Sequence, residues 1–439
     1  MKEKVAIVIG ILLLVGGAFG AVITYQNAES GSSFLSVMGK GLVAKGLSQE
    51  AAQSKGQKIP VIVAYQPVSK GLSVKGLSVR AQDMKAMAVR RLGVYGFTLS
   101  HEEAIPMFGM VVGKAPAENI SKMARSPGVR AVVKNKFISV GGETRLFAQS
   151  YARPEEFVRF HEANELPAAK GQVIAIVDSR APREPWVENA VSVRGQSPYS
   201  GFWHGNLVSR VSHRVAPNAE ITVVKTLDEY GTGRLSTILK GLETAATMKP
   251  RADVINLSLG TSPGGIYQPL NIACNTIERE YPHVKVLSVA SGNTSHGPAT
   301  SPATAKSTLA VGAITPKGKV ADYSSSVYDV LAIGNVRVGG RSACGTSFAA
   351  PIASGLLSRY LSLHREMKNI NAKKTFVQSA KMFQKAGREL PILKGSNIAK
   401  TKPVKESTPI EKTAPYIVTS IVGFVVIFWG IEGEDIYGK

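Results

Sequence analysis

From residue 173 onward the chain falls into a rhythm that few architectures can accept. Short, nearly unbroken apolar runs at 173–177, 221–227, 254–259, 286–290 and 309–314 alternate with helical or glycine-rich stretches. A strand that is apolar on both sides must be covered on both sides, so the pattern predicts an α/β fold with a doubly wound, mainly parallel sheet. Ligands in such sheets sit at the carboxyl ends of the strands. The polar residues at those ends are Asp178, Ser258 and Asn293, the first candidates for a site.

The stretch 345–351 reads Gly-Thr-Ser-Phe-Ala-Ala-Pro and runs into an apolar helical segment. Small residues before a hydroxyl predict a tight turn that places Ser347 at a helix N-terminus, where unpaired N–H groups and the helix dipole stabilise developing negative charge. Pro351 is expected in the first turn, where no helical N–H partner is lost. Asp178 closes Ile-Ala-Ile-Val-Asp-Ser, His204 stands in Gly-Phe-Trp-His-Gly-Asn-Leu-Val, and Asn293 ends Val-Leu-Ser-Val-Ala-Ser-Gly-Asn. Singly, each has an ordinary reading as a cap, a packed histidine or a turn amide. Their joint order, acid, imidazole, strand-end amide, then Gly-Thr-Ser, is far more specific.

That order resembles the subtilisin-like serine proteases, the subtilases. Seven stretches carry the resemblance: 177–179, His204-Gly205, 215–220, 255–260, 290–293, 310–313 and 345–351. The resemblance implies Ser347 as nucleophile, His204 as general base, Asp178 as the residue orienting the histidine, and Asn293 as oxyanion donor together with the Ser347 N–H. It implies that Gly231-Thr232-Gly233 and Ser258-Leu259-Gly260 are two edges receiving an extended peptide. Ala290, Ser291, Gly292 and Thr300 then line the pocket for the residue before the cleaved bond, uncharged and suited to a neutral or apolar side chain. Two departures stand out. Arg180 replaces a usual glycine and brings a cation near the acid, and Leu207 replaces a second histidine. They support the alternative reading, a catalytically silent surface interaction protein on the same fold.

Ahead of the catalytic segment, residues 59–147 alternate as strand 61–65, helix 81–92, strand 107–113, helix 118–124 and strand 129–134, with room for another strand at 94–99. This predicts a small ferredoxin-like α+β unit. It resembles the subtilase inhibitor-like propeptide, which implies a self-processed zymogen with the leader as intramolecular inhibitor. Autocleavage is expected at Phe147-Ala148. The resemblance requires no cofactor for catalysis; it allows a structural calcium ion, for which no ligand set is legible.

Both ends carry long apolar runs. Residues 5–25 follow Lys2 and Lys4 and suit a signal peptide or a signal-anchor helix, with the chain beyond it on the extracytoplasmic side of the cell membrane. Residues 416–431 form a second run, expected as a transmembrane helix on a Pro/Lys/Thr/Glu stalk at 386–415, followed by a tail at 432–439. Residues 26–58 are rich in Gly, Ser, Ala and Lys and read as a linker; the catalytic unit spans 148–385. The formal net charge is +22, but the basic residues form no aromatic-interleaved patch, so a membrane surface fits better than nucleic acid as the partner. Two cysteines, Cys274 and Cys344, are expected as buried thiols, and no Cys/His cluster has metal-ligand spacing.

Overall fold

The computed structural model describes residues 22–26, 33–37, 42–43, 45–65, 74–140, 150–262, 268–385, 388–403, 413–419 and 425–431. They divide into two compact units, Met1–Pro403 and Val404–Lys439.

The larger unit is built on a nine-stranded sheet. Its order is Val187–Ser192, Glu220–Lys225, Val173–Asp178, Val254–Leu257, Val286–Ala290, Thr308–Ile314, Val330–Ile333, Arg388–Ile392 and Lys381–Lys385. Every neighbouring pair is parallel except the last, which is antiparallel. The five expected strands are all present and form its centre. Ile174 and Ile176 enter one core, with the helices His204–Val215 and Thr346–Leu361. Ala175 and Val177 enter the other, with Leu235–Thr247 and Pro269–Glu280. Alternate residues of one strand thus serve opposite layers, which is why these strands read as continuously apolar. The strand Val173–Asp178 comes first in the chain yet lies third in the sheet, so strand order reverses beside it, and Asp178 ends it at that crevice.

Residues 42–134 form the α+β unit, with sheet order Leu42–Val43, Ala131–Lys134, Lys58–Ala64, Met110–Pro116 and Thr98–Ile105. Val61 and Val63 face its own helices, Val74–Leu92 and Ile120–Ala124. Ile62 and Ala64 face the other way and join Leu235, Leu239 and Leu270 of the larger sheet's helical layer. The small sheet is therefore covered on its second side by the helical layer of the larger sheet.

Several boundaries differ from expectation. The linker expected at 26–58 contains the helix Lys45–Gln53, because Leu47 is buried and Lys134 pairs with Glu50 at 2.8 Å. Lys-Gly-Leu triplets at 45–47 and 75–77 lie in the first turns of two helices and bury Leu47 and Leu77. Part of the stretch expected as a stalk from 386 is folded instead, since Ile392, Leu393 and Ile398 are buried and Ile392 pairs with Leu331. Pro351 lies in the second turn of its helix, six residues in. Of the apolar run 5–25, residues 5–21 lie outside the described residues, and Val22–Gln26 pairs antiparallel with Ser33–Val37. The run 416–431 is described as two antiparallel strands, Thr413–Thr419 and Val425–Ile431, rather than a helix; its Val, Ile, Thr and aromatic content suits either state. Among the described residues, no helix is long and apolar enough to cross a membrane.

Candidate active site

Asp178 and His204 meet at the crevice. The histidine Nδ1 lies 2.9 Å from Asp178 Oδ2 and 3.0 Å from Oδ1, and both side chains are buried. An ionised carboxylate only accepts, so Nδ1 carries the proton and Nε2 is left as the acceptor. Ser179 staples the pair. Its N–H donates to Asp178 Oδ1 at 2.7 Å, its hydroxyl donates to the Phe202 carbonyl at 2.8 Å, and the same oxygen accepts the Gly205 N–H at 2.9 Å. A β-carbon at Gly205 would lie 2.9 Å from the Arg180 carbonyl and 3.1 Å from Asp178 Oδ1, so any larger residue would push the imidazole helix off the acid. Arg180 itself makes no ion pair with Asp178, and its Nε is buried without a hydrogen-bond partner. Leu207 is buried in the core.

Ser347 is the second residue of the helix Thr346–Leu361. Its hydroxyl donates to the Ser258 carbonyl at 3.1 Å, so in this structure it is turned onto the strand-end residue and not onto His204. The ring of Phe348, next in sequence, has its centroid 5.4 Å from that of His204. Asn293 is held by its oxygen, which accepts from the Thr346 N–H at 2.9 Å and from the Thr346 hydroxyl at 3.0 Å. This fixes the amide, leaving Nδ2 as the free donor. Gly345 has φ +149°, and a β-carbon there would stand 3.1 Å from Asn293 Nδ2. The glycine keeps the donor uncovered.

Of the two expected peptide edges, one is already paired. Thr232–Arg234 runs antiparallel to Phe137–Ser139 of the N-terminal unit, and the Val140 N–H donates to the Gly231 carbonyl at 2.9 Å. Thr232 and Gly233 face Ser139 and Ile138 in register. The second edge, Ser258-Leu259-Gly260, lies beside the pocket residues. Gly260 and Gly292 both face Thr300: a β-carbon at Gly260 would stand 2.6 Å from its Oγ1, and one at Gly292 would stand 2.7 Å from its Cγ2. Thr300 N–H donates to the Ser291 carbonyl at 2.8 Å, and Ala290 ends its strand just before. Gly260, Ser291, Gly292 and Thr300 thus come together with no charge among them, while Ser258, Leu259 and Ala290 adjoin them in sequence. Phe147 and Ala148 lie outside the described residues.

The family model for the subtilases matches residues 170–397, about half of the chain. This chain belongs to the subtilase family. Among its relatives are the subtilisin-like serine protease Rho m 2.0101 of Rhodotorula mucilaginosa, 33% identical over 39% of this chain and 55% of the relative, and subtilisin E of Bacillus subtilis, 35% identical over 35% of this chain and 42% of the relative. A thermostable alkaline protease of Halalkalibacterium halodurans is 25% identical over 66% of this chain and 83% of its own length. The chain spans about half the length of the first two relatives.

Other parts of this subtilase site were not singled out from sequence. Thr346 clamps Asn293, as above. Lys225 is buried, its pKa lowered chiefly by burial, and its ammonium donates to the Ser200 and Ser197 carbonyls at 2.6 and 3.2 Å. It thereby holds the loop leading into His204. Trp203 and Phe348, the chain neighbours of the imidazole and the hydroxyl, stack nearly parallel with centroids 6.4 Å apart. A lone buried lysine inside an apolar strand was a legible signal; the aromatic pair, 145 residues apart in sequence, was not. Among the described residues no cluster of three or more His, Cys, Asp or Glu could hold a metal ion, and Cys274 and Cys344 are buried and form no disulfide.

Proposed function

We propose that this subtilase is a serine endopeptidase made as a self-processing precursor. The observation that carries the reading is the buried Asp178–His204 pair at 2.9 Å, set beside a helix start that presents Ser347. A serine hydroxyl is a poor nucleophile until an oriented base takes its proton. Rotation about the Ser347 Cα–Cβ bond moves Oγ from the Ser258 carbonyl toward His204 Nε2, a tightening expected when substrate binds. Oγ then attacks the peptide carbonyl as Nε2 takes its proton, and Asp178 stabilises the imidazolium. Asn293 Nδ2 and the Ser347 N–H receive the oxyanion. His204 returns the proton to the leaving amine, and water, activated in turn by His204, hydrolyses the acyl-enzyme. Every proton is carried by a group of this chain.

The substrate is a polypeptide lying as an added strand along Gly231-Thr232-Gly233, with a neutral side chain between the 258–260 and 290–292 segments. The N-terminal unit acts as inhibitor, its strand Phe137–Ser139 occupying the place of the substrate until the connecting segment is cut. The basic, apolar start of the chain directs the protein to the cell membrane, with the catalytic unit outside.

The deciding experiment is labelling with a fluorophosphonate. Asp178, His204 and Ser347 working as a unit give a covalent adduct on Ser347 that is lost in His204→Ala. No adduct on a folded, processed wild-type chain sinks the protease reading and leaves an interaction protein on the same fold.

A further inference from the structure

The path of the chain itself marks the two sides of the site. Phe137–Ser139 approaches along Thr232–Arg234 and reaches Gly231 with Val140. The described chain resumes at Ser150, beside a different element. Asn335 Nδ2 donates to the Ser150 carbonyl at 3.2 Å, Ala152 N–H donates to the Asn335 carbonyl at 2.9 Å, and Arg337 N–H donates to the Ala152 carbonyl at 2.8 Å. A peptide that followed the course of the precursor chain, entering along 231–234, would leave beside the hairpin of Asn335–Val338 and Arg341–Cys344. This hairpin runs straight into Gly345-Thr346-Ser347.

Arg341 stands on that leaving side. It is exposed, and its guanidinium carbon lies 4.6 Å from the centroid of the Trp203 ring. Trp203 is backed in turn by Phe348 and precedes His204. Stacking on an aromatic face holds the planar fork in place while leaving its N–H edge open to a carboxylate. The turn before it is Gly339-Gly340, at φ +57° and +75°, which adds no side chain of its own; the Arg210 side chain passes 3.2 Å from where a β-carbon at Gly339 would lie. An open cleft of about 500 Å³ adjoins it, lined by Tyr151, Gly339, Gly340, Arg341 and Ser342. Among the described residues no carboxylate pairs with Arg341.

We propose that Arg341 is a specificity residue for the leaving half of the substrate, taking an Asp or Glu side chain within the first three positions after the cleaved bond. The inference rests on the protease reading. A pre-stacked guanidinium and a carboxylate form a forked, charge-assisted contact that a neutral side chain cannot replace.

The test uses the full-length, processed protein and internally quenched peptides that share one acyl half. Glu is scanned through the first three positions after the bond, with Gln and Lys peptides matched at each. At one position Glu raises kcat/KM over Gln by roughly five- to tenfold, the gain shrinking as salt is added. Arg341→Gln removes the Glu/Gln ratio, Arg341→Lys keeps its direction, and Arg341→Glu turns the preference to Lys. A ratio that survives Arg341→Gln overturns the proposal. So does an equal acid preference at every position, including the acyl half, since that reports the overall charge of +22 and not Arg341. A wild-type chain that cuts all peptides alike overturns this inference alone; one that cuts none overturns the protease reading with it.

Discussion

Ser258 and Ser347 exchange two hydrogen bonds: the Ser258 hydroxyl donates to the Ser347 carbonyl at 2.7 Å, and the Ser347 hydroxyl donates to the Ser258 carbonyl at 3.1 Å. Pro351 explains the first. Four residues past Ser347, it has no N–H to close the helical bond, so the Ser347 carbonyl is free to accept from the strand. The second sets the resting position of the hydroxyl. Asn256 Nδ2 donates to Ser258 Oγ at 3.0 Å, and Asn256 Oδ1 accepts from the Ser354 hydroxyl at 3.0 Å, tying strand end and helix together behind the site.

Ser258→Ala leaves the Ser347 carbonyl with neither partner. Stability falls by about 1–3 kcal/mol, the range for an unmade hydrogen bond, read from the urea midpoint in a Ser347→Ala background that prevents self-digestion. In the active chain kcat falls while KM changes little, because the loss is in the placement of the nucleophile.

Thr346→Val keeps the shape of the clamp on Asn293 but removes its hydroxyl donor. Asn293→Ala lowers kcat by ~10²–10³, as loss of an oxyanion donor does. Thr346→Val is expected to lower it by about tenfold, the worth of one hydrogen bond, and to add nothing once Asn293 is Ala. Steady-state kinetics on the two single variants and the double variant measure the coupling directly.

The N-terminal unit is bound through a helix start. Asn135 Oδ1 accepts the Ser236 N–H at 3.0 Å, Asn135 Nδ2 donates to Ser236 Oγ at 3.0 Å, and the Lys136 carbonyl accepts the Leu235 N–H at 2.9 Å. Asn135→Ala in a separately added N-terminal unit should weaken inhibition of the mature enzyme by about five- to thirtyfold, the equivalent of 1–2 kcal/mol for a lost cap. An unchanged inhibition constant would show that the apolar sheet face does the binding alone.

Processing leaves a new N-terminus that sequencing can read. It should fall within 141–150, between the last leader residue on the Gly231 edge and Ser150. The composition of the segment favours the Phe147-Ala148 bond, whereas the register of Val140 favours a bond closer to it, since an extended chain advances ~3.3 Å per residue. A Ser347→Ala chain that is still cut there, in a host free of other proteases, rules out self-processing.

His161 makes stability pH-dependent. It is fully buried; its Nδ1 contacts the Leu393 carbonyl at 2.7 Å and its Nε2 accepts the Ile333 N–H at 3.0 Å. Burial, helped by nearby Lys394 and opposed by the Leu393 contact and Glu162, lowers its pKa from 6.5 to about 4. The unfolded chain therefore binds the proton first as pH drops. The contribution of the neutral ring is complete above pH 6.5 and is lost as pH falls toward 4, on the order of 3 kcal/mol in all. His161→Phe in the Ser347→Ala background should flatten the urea midpoint between pH 6.5 and 4; an unaltered slope assigns the acid sensitivity elsewhere.

What could be read from sequence were features written locally. The five central strands are apolar on both sides because helices cover both, and Asp178, His204, Asn293 and Ser347 each stand at the start or end of such an element. Val187–Ser192 escaped because, as an outer strand, it carries Glu188, Asn189 and Ser192 and loses the apolar signature. Helix Lys45–Gln53 escaped because its small and basic residues mimic a linker, and Leu47 alone anchors its first turn in the core. The relations that tune the site are long-range pairings. Thr346 with Asn293, Lys225 with Ser200, and Arg341 with Trp203 come into contact only after the sheet has assembled, and no periodicity encodes them.

The helix start at Leu235 has a longer consequence. Two of its amides find acceptors on the N-terminal unit, so under the proposed self-processing they would pass to water once that unit leaves. A mature molecule that loses its structure meets that deficit again without the original partner. On that reading the precursor is the better template for assembly, and the processed form would be held by the height of its unfolding barrier.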